Sequence, residues 1–337
     1  MGMNIDAEIS VESPADAASV GVSAERCGFD CVWINETKHD PFIQLALVAA
    51  ATRRVLTGTS VALAFTRSPT ALAYTAWDLQ HLSSGRLILG LGSQVRGHIE
   101  RRFGMKWESP VPKMREVVMA LRSVWQSWQT GGQLEYSGRY FKLDLMTPFF
   151  SPEPIANPKI PIYIAGVNRL MCGLAGEIGD GLHVHPLHTL RYLREDVLPS
   201  LEAGIQRGKR SREDVKVAAS VFAAAGHTAE EIRQVREAYR EQIAFYASTR
   251  TYRRLMDLHG WGDVCDRLHD LSMKSEWRRM AAVVTDEMLN EFVVEGSWRE
   301  LGAILKSRYT GLVDRVRLYR PYDGDRGWQD LVTGFRA

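Results

Sequence analysis

Four ionisable side chains lie within five positions of this sequence, directly after a short apolar segment. Glu36, Lys38, His39 and Asp40 follow residues 31–35, which are apolar enough to form a buried strand. Polar groups at the end of such a strand can face a ligand, and the side chain of His39 or Glu36 could transfer a proton. The alternative interpretation is a solvated loop in which Asp40 caps the next helix, and this cap is expected in either case.

A second group of candidate residues is the pair His183 and His185. Their spacing puts both side chains on the same face of a strand that is predicted at residues 181–184. Two imidazoles could begin a zinc site, but zinc needs further ligands, and His39 is the one other histidine at a predicted strand end. The other interpretations are that one histidine lines a substrate pocket, or that both are core residues.

Two loops of small residues follow other predicted strands. Residues 89–94 read Leu-Gly-Leu-Gly-Ser-Gln, and residues 164–168 read Ile-Ala-Gly-Val-Asn. Small side chains let the backbone approach a ligand closely, and free backbone N–H groups can bind phosphate. Because position 95 is Val, the dinucleotide-binding pattern Gly-x-Gly-x-x-Gly is incomplete. The loops therefore indicate a general anion site.

The elements that must position these groups alternate between strands and helices. Short segments rich in Val, Ile and Leu predict eight strands, each followed by a longer amphipathic stretch. Parallel strands need crossover helices, so eight such units predict an α/β fold, a (β/α)8 barrel with functional groups at the carboxyl ends of the strands. The strands are predicted at residues 5–9, 31–35, 55–64, 86–90, 160–165, 181–184, 215–224 and 312–319.

Several helix boundaries and one helical region can also be predicted. Ser13 and Ser68, each followed by proline, indicate helix starts, and Thr228 with Glu231 is a possible capping box. Residues 93–112 are polar and predict an irregular segment before a helix at 113–128, and residues 136–143 predict a small hairpin. Residues 245–310 are predicted to be mostly helical. Their aromatic residues could cover an apolar substrate pocket or pack as core, and they are Tyr246, Tyr252, Trp261 and Trp277.

The composition excludes some classes of partner and leaves the domain count open. The chain has 337 residues, 45% of them hydrophobic and 24% charged, and a net charge of +2. Such a charge favours neither nucleic acid nor an anionic membrane as the main partner. Length alone suggests two domains. The unbroken alternation favours a single domain over residues 1–337 with a helical insertion at about 245–310, and the proline-rich residues 147–161 are the best rival boundary.

The sequence predicts a cytoplasmic protein. Residues 1–6 lack the basic and apolar regions of a signal peptide, and no apolar run approaches the roughly 18 residues of a membrane span. The four cysteines form no Cys-x-x-Cys motif and are predicted to be reduced core thiols; they are Cys27, Cys31, Cys172 and Cys265.

The loops after the predicted strands, together with other short motifs, make this sequence resemble the luciferase-like monooxygenase superfamily. The resemblance is to the branch that uses the deazaflavin coenzyme F420. The resemblance covers about residues 1–225 and implies a luciferase-like barrel with insertions that binds coenzyme F420 or FMN at its C-terminal mouth. It also suggests a homodimer. The motifs that carry it are GFDCVW at 28–33, ETKHDPF at 36–42, GTSV at 58–61, RSP at 67–69, LSSGRLILGLG at 82–92, ERRFG at 100–104, MRE at 114–116, PIYIAG at 161–166 and GDG at 179–181.

The resemblance also implies roles for individual positions. Ser60 and Val61 fall where the family has a non-prolyl cis peptide against the deazaflavin ring. Thr37 and Lys38 fall where an acid–His pair often contacts the ring, and Lys38 departs from the His of many relatives. The positions that correspond to backbone amides at the coenzyme phosphate are Gly92, Ser93, Gln94, Ala165, Gly166 and Val167.

The leading hypothesis is hydride transfer between C5 of coenzyme F420 and an organic small molecule. His39, Glu36 or His183 would move the accompanying proton, with Asp6 as a further candidate. Three alternatives remain: an FMN-dependent monooxygenase on the same fold, a metal-dependent barrel hydrolase that uses His183 and His185, and a catalytically silent flavin-binding protein. Substrate choice is expected to lie in residues 225–310, which match no motif.

Overall fold

The computed structural model describes residues 2–337, and its centre is a closed barrel of eight parallel strands. Each strand pairs with the next along the chain, and the last pairs with the first, which confirms the predicted (β/α)8 fold. The strands are β1 (Asn4–Ile9), β2 (Cys31–Ile34), β3 (Leu56–Thr59), β4 (Leu87–Gly92), β5 (Ile162–Gly166), β6 (Gly181–Val184), β7 (Lys216–Gly226) and β8 (Arg315–Pro321).

Amphipathic helices cover the outside of the barrel and bury their apolar faces. Helix Pro110–Thr130, for example, buries Met114, Leu121 and Trp128 at the periodic positions seen in the sequence. The main helices outside the segment between β7 and β8 are Ala17–Cys27, Pro41–Ala51, Pro69–Leu82, Arg96–Arg101, Pro110–Thr130, Arg169–Ile178, Leu190–Tyr192, Leu198–Arg207 and Gly327–Arg336. A π-helical turn, Leu193–Val197, joins Leu190–Tyr192 to Leu198–Arg207.

The predicted helix caps have mixed outcomes. Ser68 Oγ accepts a hydrogen bond from the amide of Ala71, as predicted for an N-cap. At Ser13 the helical segment begins as predicted, with Pro14 at its first position, but the first turn is 3₁₀ and the Ser13 side chain makes no capping bond. Thr228 Oγ1 caps the amide of Glu231, but the Glu231 carboxylate accepts from the amide of His227, so the reciprocal bond of a capping box is absent there.

Three predicted segments differ from the structure. The strand predicted at 55–64 is divided: β3 ends at Thr59, and Ala62–Leu63 pairs separately with Leu91–Gly92 of β4. The segment predicted to be irregular at 93–112 contains the helix Arg96–Arg101, and the following helix begins at Pro110 rather than at 113. Proline is favoured at a first helical position, because the missing N–H has no intrahelical partner there.

The chain between β7 and β8 forms the largest departure from a plain barrel. Residues 227–314, all of which the structure describes, contain six α-helices, in agreement with the predicted helical region, and one strand that was not predicted. That strand, Val293–Ser297, runs parallel to the outer half of β7. The six helices are Ala229–Ala247, Arg253–Leu258, Gly262–Met273, Trp277–Met280, Asp286–Phe292 and Trp298–Tyr309.

Smaller features of the described chain follow the sequence predictions. The hairpin predicted at 136–143 forms between Tyr136–Ser137 and Lys142–Leu143. The four cysteines are free and buried. Within residues 2–337, no helix is both long and apolar enough to cross a membrane.

Candidate active site

His183 of β6 faces the barrel interior, and His185 follows directly after the end of this strand. The imidazole of His183 packs edge-on against Trp33 at 4.7 Å and near Tyr163 at 5.4 Å, measured between ring centroids. Gly90 of β4 lies on the other side, where a Cβ would come within 2.6 Å of His183 Nε2. The absence of a side chain at Gly90 therefore gives this imidazole its place in the barrel.

The environment of His183 keeps its imidazole neutral. Burial lowers the pKa of His183 well below its ordinary value, and the positive charges of Arg317 and Arg315 lower it further. His183 Nδ1 lies 3.5 Å from Ser60 Oγ, and Nε2 has no hydrogen-bond partner among residues 2–337. The side chain can thus exchange hydrogen bonds but does not carry charge at neutral pH.

Above His183, a buried ion pair joins β1 to β8. Arg317 Nε donates to Glu8 Oε2 at 3.3 Å, and its Nη2 donates to Ser60 Oγ at 2.7 Å. Asn35 Nδ2 donates to the other oxygen of Glu8 at 2.8 Å, while Asn35 Oδ1 has no partner in the described chain. Burial raises the pKa of Glu8, and the guanidinium of Arg317 opposes that shift. These side chains connect the ends of four strands, β1, β2, β3 and β8, at the mouth.

A second ion pair inside the barrel, between Asp6 and Arg315, has more hydrogen bonds than the pair of Glu8 and Arg317. Arg315 donates from Nε and Nη2 to the two oxygens of Asp6, and Trp33 Nε1 donates to the same carboxylate at 2.8 Å. Burial raises the pKa of Asp6, whereas Arg315 and Trp33 lower it. Every oxygen of Asp6 is bonded, so the geometry gives Asp6 a structural task and no free position for proton transfer.

The carboxylate of Glu36 is bound on both of its oxygens. Arg67 Nη1 donates to Oε1 and Oε2 at 2.9 and 2.8 Å, and the amide of Leu63 donates to Oε2 at 2.7 Å. Arg67 Nη2 also donates to Asp40, whose other oxygen caps the helix Pro41–Ala51 through Phe42. Glu36 thereby fixes the loop after β2 to the segment Ala62–Leu63.

The neighbouring predicted residues lie nearer the solvent. Lys38 is exposed and forms an ion pair of 2.6 Å with Glu12. His39 Nε2 lies 3.6 Å from a carboxylate oxygen of Glu12, and it is buried without a hydrogen bond to any described residue. The carbonyl of Thr37 accepts from Arg102 Nη2 at 2.5 Å. Among the ionisable side chains of this loop, His39 alone has a polar atom, Nε2, that is shielded from solvent and makes no hydrogen bond in the described chain.

The segment after β3 and the loop after β4 are packed together. The peptide bond between Ser60 and Val61 is cis, as the resemblance implies. A Cβ on Gly92 would lie 2.5 Å from Cγ2 of Val61, so glycine is needed for this packing. The amides of Ser93 and Gln94 donate to no group among residues 2–337. Gln94 has a positive φ of 56°.

The loop after β5 lies beside that after β4, because the two strands are paired. Ala165 lies 3.9 Å from the Cβ that Gly92 would carry, and Gly166 has no room for a side chain next to Cys172. The carbonyl of Val167 accepts from Tyr192 Oη at 2.7 Å, while its amide has no acceptor in the described chain. The structure thus brings the two predicted anion loops together.

Aromatic side chains cover the side of the mouth formed by β6 to β8. His185 packs on Tyr246 at 4.7 Å and on Tyr252 at 5.1 Å, and Tyr246 Oη lies 2.6 Å from Tyr319 Oη. His185 Nδ1 accepts from the amide of Leu187, and burial lowers the pKa of His185 to about 3.

Two of the four predicted aromatic residues lie in this group. Trp261 stacks on His259 instead, at 4.4 Å, and Trp277 is exposed beside Phe245.

The same geometry bears on the metal-dependent alternative. Residues 2–337 contain no group of three or more histidine, cysteine, aspartate or glutamate side chains that could hold a metal ion. His183 Nδ1 faces Ser60, and His185 Nδ1 is occupied by a backbone amide. The two imidazoles therefore do not form the beginning of a ligand set.

Comparison with known proteins decides the family. The sequence profile of luciferase-like monooxygenases matches residues 2–315. The chain belongs to the luciferase-like monooxygenase family. An uncharacterized protein of Mycobacterium tuberculosis is 44% identical over 302 residues, which are 90% of this chain and 89% of the relative. The 5,10-methylenetetrahydromethanopterin reductase of Archaeoglobus fulgidus is 29% identical over 81% of this chain and 80% of its own.

Solved structures share the luciferase-like fold. The coenzyme F420-dependent tetrahydromethanopterin reductase of Methanopyrus kandleri superposes with a TM-score of 0.78 at 21% identity, covering 98% of this chain and 97% of that chain. An F420-dependent secondary alcohol dehydrogenase also has a TM-score of 0.78, at 19% identity over the whole of both chains. The resemblance seen in the sequence is confirmed at the level of the family and the barrel, and the chain is an enzyme of this luciferase-like family.

Two arginines of this luciferase-like site, Arg315 and Arg317, were not predicted from the sequence. Arg315 and Arg317 alternate along β8 with apolar residues, just as Asp6 and Glu8 alternate along β1. Both pairs point inward, and their opposite charges match across the two strands. This complementary alternation was the signal that could have placed all four side chains inside the barrel.

Proposed function

We propose that this protein is a coenzyme F420-dependent oxidoreductase that acts on an organic small molecule at the C-terminal mouth of the barrel. The observation that carries the proposal is the pair of adjoining loops 92–94 and 165–167, in which the amides of Ser93, Gln94 and Val167 are unengaged and Gly92 packs against Val61. Relatives support the same coenzyme, because a putative coenzyme F420-dependent oxidoreductase of Mycobacterium tuberculosis is 28% identical over 91% of this chain.

The residues present fit the coenzyme in two places. The amides of Ser93, Gln94 and Val167 can donate to a phosphate, and anions bind well where several backbone N–H groups converge. Val61, supported from behind by Gly92, supplies an apolar surface for a planar ring. When bound, the deazaflavin supplies hydride donation or acceptance at C5. The chain's own contributions are orientation, exclusion of water and one proton transfer.

Among the three candidate proton carriers, we propose His39. Its Nε2 is shielded and unengaged, and the nearby carboxylate of Glu12 can stabilise the protonated ring. Glu36 has both oxygens bonded to Arg67 or to a backbone amide, which suits a positioning role. The lowered pKa of His183 suits a neutral hydrogen-bonding partner of Ser60. Replacement of His39 by Gln should lower kcat, because glutamine cannot take up and release a proton.

The aromatic residues over β6 to β8 support an organic substrate with apolar surface. The ring of Tyr246 lies 6.3 Å from that of Tyr252 and 6.4 Å from that of Tyr319, and its hydroxyl meets the hydroxyl of Tyr319. Aromatic rings with a few polar groups are typical of pockets for small organic ligands. All three lie on β8 or on the insertion that precedes it. Substrate choice would therefore be determined mainly outside the segments that resemble the family.

The test is a binding titration of the purified protein with coenzyme F420 and with FMN, followed by absorbance and fluorescence. We expect saturable binding of F420 with at least tenfold preference over FMN, which is about 1.4 kcal/mol. Preference for FMN, with oxygen consumed during turnover, would instead make the chain a flavin-dependent monooxygenase. Binding of neither compound would contradict both functions.

We also propose a homodimer. Apolar side chains are exposed on the segments 41–51 and 148–150, where Ile43 is 59% and Phe149 89% exposed. Exposed apolar surface of this kind is typical of protein interfaces. Sedimentation equilibrium should give twice the monomer mass, and a monomer mass would contradict the proposal.

A further inference from the structure

Two arginines share one buried carboxylate next to the loop after β5. Arg169 Nε donates to Asp196 Oδ1 at 2.6 Å, and Arg254 Nε donates to the same oxygen at 2.5 Å. The Asp196 side chain is only 4% exposed, whereas those of Arg169 and Arg254 are 55% and 51% exposed. The negative charge is thus shielded, and the two guanidinium groups face the solvent.

This arrangement leaves a positive charge without a partner. Because both Nε atoms bind one oxygen, they lie within about 5 Å of each other, a distance at which like charges repel. The ion pairs of residues 2–337 give these two side chains Asp196 and no other carboxylate. Their terminal nitrogens, Nη1 and Nη2, make no hydrogen bond in the described chain. An arginine presents these nitrogens as a fork that suits phosphate and carboxylate groups.

The pair lies at the end of the barrel where the coenzyme is proposed to bind. Arg169 begins the helix Arg169–Ile178, two residues after Val167. Tyr192, four residues before Asp196, donates from Oη to the carbonyl of Val167. Arg254 follows Tyr252, whose ring packs on His185 at the mouth. Three separate segments therefore bring the two guanidinium groups to the loop after β5.

We propose that Arg169 and Arg254 bind the anionic side chain of the coenzyme, its phosphate diester and the carboxylates beyond it. This assignment rests on the proposed function. It gives the insertion between β7 and β8 a part in coenzyme binding, because Arg254 belongs to that insertion. It also explains why Asp196 is buried: one shielded carboxylate holds two arginines in place without neutralising both.

The experiment compares two ligands that share the deazaflavin ring. Coenzyme F420 carries the phosphate and glutamate side chain, and its precursor FO lacks it. Dissociation constants of both are measured for the wild type, Arg169→Gln, Arg254→Gln and the double variant. Arg191→Gln is the matched control, because Arg191 is half-exposed in the adjoining turn and pairs with Glu195.

We expect each single variant to weaken F420 binding by about tenfold, and FO binding to stay within twofold of the wild type. The loss should shrink as salt is raised, because solvent screens exposed charges. Arg191→Gln should bind both ligands as the wild type does. Unchanged F420 binding, or an equal loss for F420 and FO, would overturn the assignment while leaving the proposed function intact. A wild-type protein that binds neither ligand overturns both.

Discussion

At the scale of single residues, Gly92 determines how closely the loop after β4 approaches Val61. A Cβ at this position would lie 2.5 Å from Val61 Cγ2, so Gly92→Ala must displace the side chain proposed to support the ring. We expect the dissociation constant of coenzyme F420 to rise about tenfold, because a Cβ this far inside van der Waals contact forces Val61 out of its packed position. Isothermal titration calorimetry measures this change.

Gly97 provides the matched control for that substitution. It lies in the same segment, is exposed, and would have no atom within 4 Å of an added Cβ. Gly97→Ala should leave coenzyme binding unchanged and stabilise its helix slightly. Equal binding by the wild type and both variants would contradict the role given to Gly92.

The charged residues inside the barrel show how far the sequence alone predicts the position of single side chains. Asp6 and Glu8 alternate in β1, and Arg315 and Arg317 alternate in β8, so the period of two indicates that each set faces one side. Which strands adjoin is decided by closure of the barrel, across 309 positions of sequence. Without that pairing, Arg315 and Arg317 look like ordinary surface charges near the end of the chain.

At the scale of elements, the carboxylate of Glu36 connects the loop after β2 to the segment Ala62–Leu63. Glu36→Gln removes the charge that holds Arg67 but keeps an oxygen that can accept from Leu63. If Glu36 is a positioning residue, the KM for the coenzyme should rise several-fold, and the shape of the pH profile of kcat should not change. Steady-state kinetics across pH 5–9 measures KM and kcat separately at each pH.

Asp40→Asn is the control for the Glu36 variant. Asparagine still caps the helix through the amide of Phe42, and only the more exposed contact with Arg67 is weakened. Its effect on KM should be the smaller of the two. Loss of one pH limb in Glu36→Gln with an unchanged KM would identify Glu36 as the proton carrier instead.

Element types were predictable where a single period dominates the sequence. Helix Pro110–Thr130 and the eight barrel strands follow from their apolar patterns. Strand Val293–Ser297 was missed because two valines followed by Glu-Gly-Ser form too short a pattern between two helices. Its existence depends on the unpaired outer half of β7, which is a tertiary feature. The division of the strand predicted at 55–64 was not foreseen; it coincides with the cis peptide bond that the resemblance implied between Ser60 and Val61.

At the scale of the whole molecule, neutral buried histidines make stability depend on pH. Burial lowers the pKa of His185 to about 3 and that of His188 to about 4, and burial also lowers the pKa of His183. In the unfolded chain these groups take up protons below about pH 6.5. The unfolded state therefore binds more protons between pH 6.5 and 4, and the free energy of unfolding falls as the pH falls through that range.

For each such histidine the loss between pH 7 and pH 5 is roughly 2 kcal/mol, and urea unfolding at a series of pH values measures the sum. His188→Gln should unfold with a smaller slope against pH, because one of these groups is gone. Tyr309→Phe is the matched control: it removes the hydroxyl that meets His188 Nε2 but leaves the imidazole buried, so the slope should remain. A slope unaffected by His188→Gln would show that other groups govern acid unfolding.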